Sequence, residues 1–198
     1  MVAKQLEKHK GLEQRTCGLV YVPAAQSPHK TEPPTADEHR IAMLNIALQS
    51  VDRDWSIWTQ ELADGTLNPG APSYWADTWA IANALLPDSM NRFLIGADQA
   101  MSMHRWHRYQ EFWEDATVMM RDGIGDTDEL IEGLDRLGVW TQDDLKHWRT
   151  CCVPVEMVPW SSSEIRQQLC RTDQQKNTRI EGLDPGVQSY ILEHGLYR

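Results

Sequence analysis

Positive charge is in short supply in this chain. It carries 19 Lys and Arg against 29 Asp and Glu, a formal net charge of -10. Affinity for a phosphate backbone needs a surplus of clustered cations, so the balance argues against nucleic acid as a partner. A small anionic ligand is a different matter, because it responds to a few local groups. Long apolar runs are also missing. No segment approaches the ~18 consecutive apolar residues of a membrane span, which argues against a membrane partner. The opening Met1-Val2-Ala3-Lys4-Gln5-Leu6-Glu7-Lys8 has no apolar core of the kind a secretion signal needs. The cysteines Cys17, Cys151, Cys152 and Cys170 form no C-x-x-C. Neither a disulfide framework nor a zinc site is indicated, and a cytoplasmic setting is expected.

What is present is a 198-residue chain, about one domain at ~150 residues each. At 41% hydrophobic residues it can bury a core. Strand and helix patterns alternate along it. The first residues give a short amphipathic stretch running into Gly11. Leu19 to Val22 reads as a strand stopped by Pro23. Thr35 and Glu38 form a capping box before a helix carrying Ile41, Leu44, Leu48 and Val51. Trp55 to Leu62 reads as a strand, and 63–73 as turns throughout. Trp75, Trp79, Ala82 and Leu86 line one helical face, which Pro87 stops.

Arg92 to Ile95 is a strand opening into Gly96-Ala97-Asp98. A loop holds Met101 to His107, and Tyr109, Phe112, Trp113 and Ala116 mark a helix. Val118 to Met120 is the next strand. Leu130, Ile131, Leu134 and Leu137 lie on a helix with Gly138 as its stop, and Thr141 caps a shorter one carrying Leu145 and Trp148. The last strand spans 153–158 and leads into Ser161-Ser162-Ser163-Glu164-Ile165-Arg166. Asp184-Pro185 opens the final helix, which ends at Gly195. This alternation predicts an α/β fold with a parallel sheet covered by helices on both faces, where ligands bind at the carboxyl ends of the strands.

Several groups follow those strands. Ser161, Ser162 and Ser163 sit at a strand-to-helix junction, where unpaired N–H groups and the helix dipole favour an anion. Arg166 adds a multi-donor cation suited to phosphate. The same residues also read as an ordinary serine cap with a surface arginine. His29 and Lys30 are either a phosphate-side loop or simply a basic loop. Asp98 can accept from ribose hydroxyls or cap the next segment. Trp106, within His104-Arg105-Trp106-His107-Arg108, can stack a ligand ring or pack in the core.

From Leu19 onward the chain resembles bacterial nicotinate-nucleotide adenylyltransferase, of the Rossmann-like nucleotidyltransferase superfamily. The resemblance is carried by Val22-Pro23-Ala24-Ala25 through Pro28-His29-Lys30, Glu38-His39-Arg40-Ile41-Ala42-Met43-Leu44, Pro72-Ser73-Tyr74 and Asp77-Thr78. It continues through Phe93-Leu94-Ile95-Gly96-Ala97-Asp98, Arg105-Trp106, the serine run, and the closing Tyr190 to Tyr197. It implies transfer of AMP from ATP to nicotinate mononucleotide, with release of pyrophosphate, in NAD biosynthesis. It gives the ATP phosphates to Ser161, Ser162, Ser163, Arg166, His29 and Lys30, and the nucleoside ribose to Asp98; Arg121, which follows a strand, is a further phosphate-side candidate. The nicotinate mononucleotide goes to Tyr74, Trp75 and Trp106. Mg²⁺ would arrive with ATP rather than in a protein cage, so no metal ligands are named.

Family members begin with a strand and a G-[GS]-[ST]-F-D-P-x-H-x-G-H loop. The seven histidines here include no H-x-G-H, so no catalytic residue is assigned. The chain is expected to be one domain over 1–198, incomplete at its N-terminus, with the missing strand and loop upstream of an internal Met1. Ser163 stands where the family usually has Thr, and Trp75 where a Thr follows the S-Y pair. An acidic helical insert is expected over 122–150. The alternatives are a short non-catalytic chain of the same fold that binds nucleotide or a partner, and an enzyme using another acceptor, nicotinamide mononucleotide.

Overall fold

The computed structural model describes residues 18–25, 34–51, 54–120, 126–153, 160–172 and 179–197. The expected N-terminal helix, most of the expected strand over 153–158, and the site candidates His29, Lys30 and Arg121 lie outside them. The described residues divide into two compact units. Strands in both pair only in parallel, giving one two-stranded and one three-stranded sheet that share no strand. Among the described residues the alternating pattern yields the expected parallel α/β structure, its strands lying in two sheets.

The two-stranded unit comprises 18–25, 34–51, 54–72, 160–172 and 179–197. Its strand β1 (Leu19–Tyr21) pairs with β2 (Trp55–Ile57), Leu19 opposite Trp55 and Tyr21 opposite Ile57. Between them runs α1 (Asp37–Leu48). The expected Thr35 capping box does not form: Ala36 is the N-cap and no side chain caps the helix. Asp37 and Glu38 in the first turn instead meet the positive end of the dipole.

The expected strand Trp55 to Leu62 stops at Ile57, and α2 (Gln60–Leu67) takes over. That helix also occupies the first part of the stretch expected to be all turn. Its Gly65 is there for packing: a Cβ at that position would lie 2.5 Å from the Ala25 Cβ. Two further helices complete the unit, α7 (Ser162–Thr172) and α8 (Pro185–His194). As predicted, Asp184 caps α8, accepting from the N–H groups of Gly186 and Val187, and Gly195 ends it with a φ of 62°. Leu169, Ile180, Val187 and Ile191 form the buried core here.

The three-stranded unit comprises 73–120 and 126–153. It opens with α3 (Trp75–Leu85). Then β3 (Phe93–Gly96) passes without a linker into α4 (Ala97–Ser102). The segment expected as a loop and then a helix is instead the end of α4 followed by three 3-10 turns, at Met103–Arg105, Tyr109–Glu111 and Trp113–Asp115. Arg108 enters the second turn with a φ of 52°, a left-handed conformation that breaks any helical run. Ala116, expected on that helix, begins β4 (Ala116–Met119).

Two helices follow, α5 (Thr127–Arg136) and α6 (Gln142–Cys151), and then β5 (Cys152–Val153). Thr141 and Asp144 form a complete capping box, and Gly138 takes a φ of 66° after α5. Both predictions for this stretch hold. The described residues of the acidic segment contribute to the core: Leu130, Leu134, Leu145 and Trp148 are buried in one cluster with Trp79, Phe93 and Val118. Cys151 and Cys152 are buried, and the Cys152 thiol donates to the Trp148 carbonyl at 3.4 Å. No helix among the described residues is long and apolar enough to cross a membrane.

Candidate functional site

Among the described residues, the sequence candidates fall in two places, one in each unit. In the two-stranded unit the serine run begins α7. Ser161 is the N-cap: its hydroxyl accepts the Glu164 N–H at 3.1 Å, while the Glu164 carboxylate accepts the Ser161 N–H at 2.9 Å. That reciprocal pair is a capping box, so the plain structural reading of Ser161 is realised. Backbone and side-chain donation from Ser161 together hold the Glu164 carboxyl below its ordinary range.

Ser162 and Ser163 are exposed in the first turn, where N–H groups lack intrahelical acceptors. The entry into this turn is fixed by Trp160. At Gly182, whose φ is +80°, a Cβ would lie 2.6 Å from that indole ring. Arg166 is exposed, with its guanidinium carbon 5.9 Å from the centre of the Tyr197 ring.

In the three-stranded unit, Asp98 lies in the first turn of α4, directly after β3. It is exposed and accepts from the Gln99 amide at 3.0 Å. Tyr74 precedes α3, and its ring meets that of His107 at 4.4 Å between centroids. Trp75 is half-buried, its ring 5.9 Å from Trp79 and 5.4 Å from Phe93. Trp106 is also half-buried and packs near Phe112, at 6.3 Å. The structure thus joins Trp75 and Trp106 to one aromatic core and leaves Tyr74 beside His107.

The indole nitrogens of Trp75 and Trp106 and Nδ1 of His104 are buried without a hydrogen-bond partner. The indole nitrogens of Trp140 and Trp148 in the same core are likewise without one.

Sequence reasoning missed the hub that braces this region. Arg108 donates to Asp77 at 2.8 Å and to both Glu111 oxygens, at 2.8 and 2.9 Å. The hydrogen bonds from Arg108 hold the Glu111 carboxyl below its ordinary range. The signal was visible, since Asp77 and Arg108 each adjoin a recognised motif. Their pairing across 31 residues was not.

Over residues 2–168 the chain matches the family described as Cytidylyltransferase-like. It is 31% identical to "Probable nicotinate-nucleotide adenylyltransferase" of Idiomarina loihiensis, across 90% of this chain and 84% of that protein. The chain belongs to the cytidylyltransferase-like family, among its nicotinate-nucleotide adenylyltransferases. A protein of the same name from Pectobacterium atrosepticum is 29% identical, across 91% of this chain and 84% of its own length. Among solved structures, a Plasmodium falciparum nicotinic acid mononucleotide adenylyltransferase complexed with NaAD aligns with a TM-score of 0.64. It covers 99% of this chain and 90% of its own at 15% identity. At that identity the match shows the nucleotidyltransferase fold.

Proposed function

We propose that this nicotinate-nucleotide adenylyltransferase transfers AMP from ATP to nicotinate mononucleotide, as its family does. The observation that carries the reading is the near full-length match to the Idiomarina relative. A phosphate oxygen of the mononucleotide attacks the α-phosphorus of ATP, and the bond from that phosphorus to the bridging oxygen of the β-phosphate breaks. Pyrophosphate leaves and nicotinate adenine dinucleotide remains. No covalent bond to the protein is needed, so catalysis consists of positioning and charge stabilisation.

In this reading Ser162, Ser163 and the α7 N-terminus receive ATP phosphates, with Arg166 as the cation. Ser161 takes part through the cap that shapes the turn. Asp98 accepts from the ribose, Trp106 stacks the pyridine ring, and Tyr74 and Trp75 sit on the carboxylate side. His29, Lys30 and Arg121 keep the phosphate-side roles that their motifs suggest. Their exposure supports the roles of Asp98, Ser162, Ser163 and Arg166.

Mg²⁺ enters as part of the substrate, MgATP. The ATP phosphates would bring it, so no residue here is assigned to it. The family match runs through both units, which supports reading them as parts of one nucleotidyltransferase domain, with the acidic 122–150 stretch as an elaboration of it. A cytoplasmic setting remains part of the proposal on the sequence grounds given above.

Pyrophosphate release decides the matter, measured on protein expressed from the complete reading frame. Release from ATP with nicotinate mononucleotide, and much less with nicotinamide mononucleotide, is expected. Equal or greater release with the amide would overturn the acceptor. ATP binding with no release from either would replace the enzyme with a nucleotide-binding protein.

A further inference from the structure

The last turn of the two-stranded unit has a feature that the family reading leaves unused. Tyr197 is one of two non-glycine residues with positive φ among the described residues, at 60°. That conformation is uncommon for a residue with a Cβ, and in an aromatic residue it calls for an explanation. Three contacts hold it. Gly195 turns the chain out of α8 in the left-handed region. Cys170 on α7 donates its thiol to the Tyr197 carbonyl at 3.0 Å. Leu196 and Tyr197 pack against the core formed by Leu169, Ile180, Val187 and Ile191.

The conformation places the ring under Arg166, 5.9 Å from the guanidinium carbon. Arg166 and Cys170 lie four residues apart on α7 and so share one face of it. A single residue is therefore tied to α7 by its backbone at Cys170 and by its ring at Arg166.

Arg166 has no carboxylate partner among the described ion pairs. An exposed arginine without one samples many rotamers, and each must be given up when it binds an anion. A ring face restricts the guanidinium without neutralising it, since the attraction is to the ring quadrupole. The charge thus stays available to a phosphate. A carboxylate in the same place would compete with the ligand.

We propose that Tyr197 is a positioning residue for Arg166, holding the guanidinium ready for the ATP phosphates. This rests on the reading of Arg166 as a phosphate ligand, and the experiment separates the two. ATP affinity is measured by titration calorimetry on protein from the complete reading frame, for wild type, Arg166→Gln, Tyr197→Leu, Tyr197→Phe and the Arg166→Gln/Tyr197→Leu double variant. Thermal melting of each accompanies the titrations.

Tyr197→Leu keeps an apolar side chain and loses the ring. It is expected to weaken ATP binding about two- to fivefold, the range a ring-cation contact at an exposed site supports. Tyr197→Phe is expected to bind as wild type does. Arg166→Gln is expected to weaken binding tenfold or more, and Tyr197→Leu to add nothing in that background.

If Arg166→Gln binds ATP as wild type does, the reading of Arg166 fails and the proposal falls with it. If Arg166→Gln weakens binding but Tyr197→Leu does not, only the proposal is overturned. Equal weakening by Tyr197→Leu in both backgrounds would make Tyr197 a structural residue acting independently of Arg166, which also overturns it.

Discussion

The two units solve the problem of rigidity differently. In the three-stranded unit the candidate groups grow out of an aromatic core. Trp75 and Trp106 pack with Trp79, Phe93 and Phe112, and beyond them Trp113, Trp140 and Trp148 meet at 4.9 to 5.3 Å. In the two-stranded unit the buried cluster is small and aliphatic, and polar contacts do much of the holding. Gln188 accepts the Ile180 N–H at 2.9 Å, His39 bonds the Tyr190 hydroxyl at 2.9 Å, and Asp184 caps α8. The contrast follows ligand chemistry. A flat ring is recognised by side chains that are themselves packed, whereas phosphate is recognised by helix ends and an exposed cation.

The largest effect expected from this contrast is in the aromatic core. Trp148 is 0% exposed, and Trp148→Ala is expected to cost about 3–5 kcal/mol, whereas Ile180→Val in the other unit should cost about 0.5–1.5 kcal/mol. Urea denaturation of both variants measures the difference. Equal costs would mean that the small core is as tightly specified as the large one.

A smaller effect sharpens the comparison at two left-handed glycines. Gly182→Ala faces both strain and the Trp160 ring at 2.6 Å, and should cost about 1–3 kcal/mol. Gly138→Ala faces strain alone, since nothing lies within 4 Å of its Cβ position, and should cost about 1 kcal/mol. The gap between their melting temperatures reads the Trp160 contact. If there is no gap, Trp160 does not fix the serine turn.

Where the sequence was legible, the signal was local. Asp184-Pro185, the Thr141 cap, Gly138 and the passage from β3 to Asp98 each depend on residues a few positions apart, and each forms as read. The misread segments are governed from a distance. Residues 63–67 look like a turn because they hold Asp64 and Gly65, yet they belong to the helix Gln60–Leu67 and the glycine lets Ala25 approach. The run from Tyr109 looks helical, but Arg108 takes a left-handed turn whose partner Asp77 lies far back in the sequence.

At the candidate site, a serine cap was one of the two readings of the run, and the structure puts it on Ser161. Pairings such as Arg166 over Tyr197 or Tyr74 beside His107 had no local trace.

The smallest effect concerns pH. Glu164 in the two-stranded unit has a lowered folded pKa because Ser161 donates to its carboxylate. A depressed folded pKa stabilises above the unfolded value, about 4.3, and that stabilisation is lost as pH falls through the folded value. Asp143, lowered by Lys146, has the same sign in the other unit. Glu164→Gln should therefore flatten the stability–pH curve below about pH 4.5, with little change at pH 7 in salt dependence. Asp143→Asn should remove a salt-sensitive part instead, because exposed ion pairs are screened. Melting at two ionic strengths across that range distinguishes them.

The tryptophans also make the molecule its own optical instrument. Of the nine, only Trp55, Trp58 and Trp160 belong to the two-stranded unit. The closely spaced Trp113, Trp140 and Trp148 will exchange excitation and report the three-stranded unit together. Trp160, one residue before the serine turn and pressed against Gly182, is the emitter next to the proposed phosphate site. Comparing the wild type with a single Trp160→Phe variant would show which part of a fluorescence change on nucleotide arrival belongs to that residue.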